Sequence, residues 1–264
     1  MSWHKVIRYY VSSQICRLRE WIQPSRITDA NDIPIIINNF NRLTTLRMLI
    51  ERLERANCRN IHIIDNASTY PPLLSYYDTL PYTVHRLSEN LGFKALWRSG
   101  LNATLCRDYF VYTDSDVVPL DECPDDFMQK FLDVLKTRRL ARKVGFSLRI
   151  DNLPDHYAYK DKVIAHESRF FQRPTADGKM YRAPIDTTFA MYRPRIGLSR
   201  SFSAESYRIA YPYQAEHLPW YNDLDNLSDE ELYYIQHTSQ VTEWTGRVRQ
   251  AGDTTTTSNS SLSK

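Results

Sequence analysis

The first clear pattern along the chain is a short apolar run, "IPIIIN", from Ile33 to Asn38. It is β-branched and too short for a helix, so it predicts a buried strand. "RLTTLRMLIERLERA" then places Leu43, Leu46, Leu49, Ile50 and Leu53 on one helical face. "NIHIID" predicts a second strand ending at Asp65, and Pro71 and Pro72 suit the first turn of a short helix. "YTVHRL" predicts a third strand, "FKALWRSGLNATL" a helix and "DYFVYTD" a fourth strand. Strands alternating with helices over short connections imply parallel strands and right-handed crossovers. Such sheets bind ligands beyond the carboxyl ends of their strands. Polar residues gather at those ends: Asn38, Asn39 and Asn41; Asp65 and Asn66; Asn90; Asp114 and Asp116.

The pattern loosens in the second half. "CPDDFMQKFLDVLKTRRLA" predicts a helix with acidic residues early and basic residues late, as the helix dipole prefers. Its basic end, Lys136, Arg138, Arg139, Arg142 and Lys143, reads as a solvated helix terminus, with anionic lipid or a phosphorylated acceptor as the other reading. "VGFSLRI" predicts a fifth strand, residues 151–183 long loops, and "IDTTFAMYRP" a strand opening at Asp186. "SDEELYYIQHT" predicts a late helix with Ser228 and Glu231 at capping-box spacing. Residues 249–264 form a polar tail expected to be disordered. At the other end, residues 1–24 place Trp3, Ile7, Tyr10, Val11, Ile15, Leu18, Trp21 and Ile22 near helical spacing, with Lys5, Arg8, Arg17 and Arg19 between them. That helix either packs on the core or lies on an anionic membrane surface.

Composition narrows the picture modestly. The 264 residues can bury a proper core, and a net charge of +3 gives no reason to expect nucleic acid. No apolar run is long enough to span a bilayer, and charged residues interrupt the N-terminus where a secretory signal would need an apolar stretch. Cys16, Cys58, Cys106 and Cys123 are far apart and show no metal spacing, which suits reduced thiols in a cytoplasmic protein.

Chemistry enters with "YFVYTDSDVVP". Two carboxylates one residue apart at a strand end repel each other and are costly to desolvate, so a positive group is expected beside them. Their oxygens suit Mg²⁺ or Mn²⁺, which take further ligands from phosphate and water. Taken together, "IPIIINNFNR", "IIDNAST", "ENLGFKALWRSGL" and "YFVYTDSDVVP" resemble the four leading motifs of family 2-type glycosyltransferases with the GT-A fold. The resemblance covers residues 33–120 and implies a nucleotide-sugar-binding half there, followed by an acceptor half over 121–248. It implies that Asp65 bonds the base, that Asn38, Asn39 and Asn66 line the nucleoside, and that Asn90 and Gly92 lie near ribose and diphosphate. It also implies that Asp116 is the principal metal ligand, with Asp114 on the ribose or sugar side as a second ligand. The chain departs from the pattern at Asn38, Trp97 and Arg98; the last could still pair with phosphate. A role in bacterial surface polysaccharide synthesis at the inner membrane face, with a glycan or lipid-linked acceptor, is implied by the resemblance alone.

An inverting transfer needs a carboxylate to take the acceptor proton. Asp186 and Glu216 are the candidates, His217 is a candidate for the metal shell, and Trp220 for stacking on a sugar. Two other readings stand beside this one. "YTDSDVV" fits the nucleophile motif of haloacid dehalogenase-type phosphatases, although here three strand–helix units precede it. A sugar-binding protein of the same fold that has lost its base is the other.

Overall fold

The computed structural model describes residues 20–138, 140–194 and 206–238, together with Trp3, Ile7, Val11, Gln14 and Leu18. The fold is α/β: a mixed sheet of nine strands among the described residues, with helices on its faces. The first half follows the sequence pattern closely. Strands β1 (Ile35–Asn39), β2 (Ile61–Asp65), β3 (Thr83–Arg86) and β4 (Phe110–Asp114) are parallel, in the order β3-β2-β1-β4. Helices α1 (Thr44–Arg55) and α2 (Pro71–Tyr77) make the first two crossovers. The predicted third helix is broken into α3 (Ala95–Arg98) and α4 (Asn102–Leu105). Gly100 sits between them at φ 80°, a left-handed conformation that ends a helix turn.

Beyond β4 the sheet stops being parallel. It continues through β8 (Ala190–Tyr192), β6 (Lys143–Leu148), β9 (Ser206–His217) and β5 (Val117–Pro119), with β7 (Met180–Arg182) also on β9. Strand β8 runs antiparallel to both β4 and β6, while β6 and β9 are parallel to each other. Helix α5 (Phe127–Thr137) precedes β6, α6 (Lys160–Glu167) precedes β7, and α7 (Asp229–His237) follows β9. Three expectations change here. The segment 151–183 contains α6 and β7 rather than loops alone. The strand expected from Asp186 begins only at Ala190, leaving Asp186 in a loop. The long strand β9 had no clear signal, because its apolar and polar positions do not alternate and Pro212 interrupts it.

Two apolar layers follow from strand alternation. Ile35, Ile37, Ile61, Ile63 and Val111 face α1 and α5, packing on Leu46, Leu49, Phe127 and Phe131. Ile36, Ile64, Phe110 and Tyr112 face the other way, onto Ala95, Leu96 and Tyr192. Cys58, Cys106 and Cys123 are free and buried in these layers. The described N-terminal positions are helical, and Glu20 ties the segment to the body by pairing with buried Arg193 at 2.8 Å. Residues 239–264, and with them the expected tail, lie outside the described residues.

Gly145 marks the tightest strand contact. A Cβ there would stand 2.4 Å from the Phe189 carbonyl oxygen, which is backbone and cannot swing aside. Gly145→Ala is therefore expected to force β8 away from β6 and to lower stability by about 1–3 kcal/mol, read from urea denaturation.

Candidate active site

The ends of β1, β2 and β4 open onto a cavity of about 520 Å³, within the range of small-molecule sites. Asn38, Asn66, Asn90, Gly92, Asp114, Asp116, Asp186 and His217 all line it. Residues more than a hundred positions apart thus meet at one rim. A larger cavity of about 720 Å³ lies beside Leu18, Trp21, Tyr109 and Arg193, away from the strand ends and the carboxylate pair.

The two carboxylates are held from different sides. The Thr187 hydroxyl donates to Asp114 Oδ2, the Asp114 N–H donates to Thr187 O at 3.1 Å, and Asn38 Nδ2 reaches Asp114 Oδ1 at 3.5 Å. Burial first, and then the adjacent charge of Asp116, push the Asp114 carboxyl up to about 7. The positive group expected from the sequence is Arg42, whose Nη1 is 3.9 Å from Asp116 Oδ2 and 2.6 Å from Glu231 Oε1. Its guanidinium also lies 4.1 Å from the Tyr234 ring centroid. Burial works against this charge, but Glu231 and Asp116 more than offset it and raise the pKa of Arg42. On the far side of Asp116, His217 Nε2 is 3.7 Å from Oδ1. Burial lowers the pKa of His217, which favours the neutral imidazole.

Several polar atoms around the cavity have nothing to bond. Among the described residues, Asn38 Oδ1, Asp116 Oδ1, Tyr157 OH and His217 Nδ1 are buried without a hydrogen-bond partner, and all four residues line the cavity. Buried polar atoms are rarely left so, and a group of them around one space is what a polar ligand would satisfy.

The rim itself is built by asparagines. Asn66 donates to Gly92 O at 3.2 Å and accepts from Leu91 N at 2.7 Å, while Asn90 Oδ1 accepts from Gly92 N at 2.9 Å. Gly92 sits at φ 67°, so the turn favours a residue without Cβ. Asn41, itself at φ 52°, accepts from Thr69 N and Tyr70 N and joins the β1 and β2 ends.

Five residues singled out from the sequence stand apart from the cavity. Asn39 alternates with Asn38 and points into the interior, bonding Tyr77 OH, Arg42 O and Ser115 Oγ. Asp65 is buried and spends its Oδ1 on Ser68 N at 3.0 Å, so it shapes the Asn66–Ser68 turn from beneath; burial raises its pKa. Arg98 is exposed and donates to Leu91 O. Glu216 precedes His217 on β9 and therefore faces the other side of the strand, where it accepts from Asn152. It therefore lies outside the cavity that Asp186 lines. Trp220 is buried, with its ring against His217 at a centroid distance of 4.7 Å, so no face is open to a sugar.

Sequence reasoning missed Arg42, Thr187, Glu231 and Tyr234. "FNR" follows the first strand, and the carboxylate pair calls for a cation, but no sequence rule joins the two. Glu231 looked like half of a capping box. Its backbone N–H does take the Ser228 cap at 3.2 Å, while its carboxylate goes to Arg42 instead. Glu230 beside it reaches back to α1, accepting from Leu43 N, Thr44 N and Thr44 Oγ1 at 2.8–3.1 Å. Helix α1 has no cap from its own N-cap residue Leu43, so α7 supplies one.

No protein-family model and no curated protein sequence matches the chain. Among solved structures it is similar to residues 1–349 of S. aureus TarS, at 12% identity and TM-score 0.43, over 78% of this chain and 68% of that one. A longer S. aureus TarS structure gives 11% identity and TM-score 0.45 over 80% of this chain and 40% of that one. The 4-diphosphocytidyl-2C-methyl-D-erythritol synthase of Anaerococcus prevotii gives 8% identity and TM-score 0.39 over 79% of this chain and all of that one. The roles of individual residues rest on the geometry above.

Because Glu230 satisfies several groups at the start of α1, Glu230→Ala is expected to lower stability by about 1–2 kcal/mol, the scale of a lost helix cap. Denaturant unfolding of the two proteins checks this.

Proposed function

We propose that the chain is a metal-dependent, inverting glycosyltransferase that uses a nucleotide-diphosphate sugar. The observation that carries this reading is the cavity floor: a carboxylate pair, an arginine and a histidine whose pKa burial lowers meet at the strand ends around one ligand-sized space. In this reading the asparagine rim at Asn38, Asn66 and Asn90 holds the nucleoside, and Arg42 faces the diphosphate.

The residues present fit a divalent cation of the Mn²⁺ or Mg²⁺ type. Asp116 Oδ1 is buried and unpaired, and His217 beside it favours its neutral form. Among the described residues no three His, Cys, Asp or Glu side chains form a complete cage. Asp116 and His217 would therefore hold the ion together with diphosphate oxygens and water, with Asp114 left to Thr187 and Asn38. When bound, the ion supplies positive charge to the departing diphosphate.

Asp186 is the base in this reading. It is exposed, lines the cavity, and sits in the loop before β8. The acceptor hydroxyl attacks the anomeric carbon and its proton passes to the Asp186 carboxylate. The bond from sugar to diphosphate breaks, and its electron pair leaves on the diphosphate oxygen. In this reading Arg42, beside Asp116, meets the charge that develops there.

Thermal shift with UDP, GDP and dTDP, each with and without Mn²⁺, tests the reading. A nucleotide-specific, Mn²⁺-dependent rise is expected. Asp116→Asn is expected to remove the Mn²⁺ dependence with the fold intact, and unchanged Mn²⁺-dependent affinity in a calorimetric titration would take Asp116 out of the metal site. Asp186→Asn is expected to keep that affinity and lose transfer.

We also read the N-terminal segment as a contact for anionic membrane, where a lipid-linked acceptor would reside. Trp3, Ile7 and Val11 are 80%, 51% and 49% exposed, and basic residues are interspersed among them in the sequence. No helix among the described residues is long and apolar enough to cross a membrane, so this contact is peripheral. Full-length protein is expected to float with vesicles containing phosphatidylglycerol at low salt. Trp3→Ser/Ile7→Ser/Val11→Ser protein should stay in the pellet fraction, and equal flotation of both would end this reading.

A further inference from the structure

The loop that carries Asp186 and Thr187 is fastened at every residue from Pro184 onward. Arg208 Nε donates to Pro184 O at 2.8 Å. Lys143 Nζ donates to Ile185 O and approaches Asp186 O at 3.4 Å. Thr187 is tied through both backbone and hydroxyl to Asp114. The Asp186 carboxylate itself accepts no hydrogen bond among the described residues. A backbone held at four successive residues thus carries a cavity-lining carboxylate whose charge is felt by Lys143.

Both cations come from a polar row on the sheet. Val144, Phe146 and Leu148 of β6 face the main apolar layer, so Lys143, Gly145 and Ser147 face the opposite side. Arg208 lies opposite Gly145 in the β6–β9 register. It is anchored by buried Glu167 of α6 at 2.7 Å and lies 4.1 Å from the centroid of the Phe170 ring.

We propose that Lys143 and Arg208 are positioning residues that hold the Pro184, Ile185 and Asp186 carbonyl groups, so that Asp186 stays turned to the cavity and Thr187 stays on Asp114. The proposal rests on the reading of Asp186 as the base. It also corrects the sequence view of Lys143, which belongs not to a solvated basic patch but beneath this loop. An ammonium among carbonyl oxygens is a poor way to stabilise a fold. Burial lowers its pKa to about 8, with the charge of Asp186 only partly offsetting that. A methionine of similar length would avoid the desolvation altogether. What the lysine adds is direction, since its N–H groups fix where two successive carbonyls point.

Stability and turnover should therefore separate in Lys143→Met. In the full chain, its thermal midpoint is expected to be unchanged or higher. Affinity for the nucleoside diphosphate that gives the Mn²⁺-dependent shift should stay within about twofold, while turnover of the matching UDP-, GDP- or dTDP-hexose falls about a hundredfold, the scale of a misplaced catalytic group. Amide exchange at 185–188 should accelerate while β6 stays protected. Arg208→Lys keeps a cation beside Glu167 but loses the second N–H, and should shift turnover and exchange the same way by less; it carries the test if Lys143→Met fails to fold. Unchanged turnover and exchange overturn the proposal. So does a joint fall in midpoint, affinity and turnover, which would make Lys143 a support of the fold at large. If Lys143→Met frees these amides while Asp186→Asn turns over normally, the loop is positioned as proposed and the assignment of the base is what fails.

Discussion

Two carboxylates at the end of a buried strand need compensation, and much of the fold is arranged to supply it. Asp114 ends a strand that carries no other charge, and Asp116 follows two residues on. Arg42 reaches in from the loop after β1, His217 from the end of β9, and the Thr187 hydroxyl from the loop before β8. Each comes from a different part of the chain. The carboxylate pair is consequently the point at which the parallel first half and the mixed second half are electrostatically joined.

That junction has a second layer. Glu231 shares Arg42 with Asp116, so the guanidinium sits between two anions and its orientation is set by both. Glu231 can do this because α7 is pinned by its neighbours: Glu230 caps α1, and Tyr233 OH bonds Thr69. A helix near the described C-terminal end thereby walls the cavity and orients a residue from its first strand–helix connection. On the opposite side, the Pro184–Thr187 loop is held from below by buried Arg208 and half-buried Lys143 rather than by sheet pairing. The two walls are fixed by charge, while the floor between them is fixed by β-ladder hydrogen bonds.

Polar atoms left without partners are unusual in a well-packed interior. Among the described residues they are scattered through the fold, and those on Asn38, Asp116, Tyr157 and His217 belong to residues that line the cavity. Arg42 already supplies a cation, so any divalent ion would join an existing positive group.

The sequence by itself determined the first half of this protein. Strands β1 to β4 were legible because each is a short apolar run set off by turn residues, and α1 because its leucines repeat at helical spacing. These are local patterns, governed by which side of a strand or helix is buried. The location of the site was legible for the same reason, since parallel strands bring their carboxyl ends to one rim. Tertiary structure decided the rest. Whether Asn38 or Asn39 faces the cavity, and whether His217 or Glu216 does, depends on strand register, which a single sequence does not fix. Strand β9 takes its place through pairing with β6, because no alternating pattern of its own specifies it. The partners of Arg42, Glu231 and Lys143 lie from about forty to nearly two hundred residues away. Charges find such partners only after the sheet has formed, and nothing in local spacing encodes which carboxylate or carbonyl will be within reach.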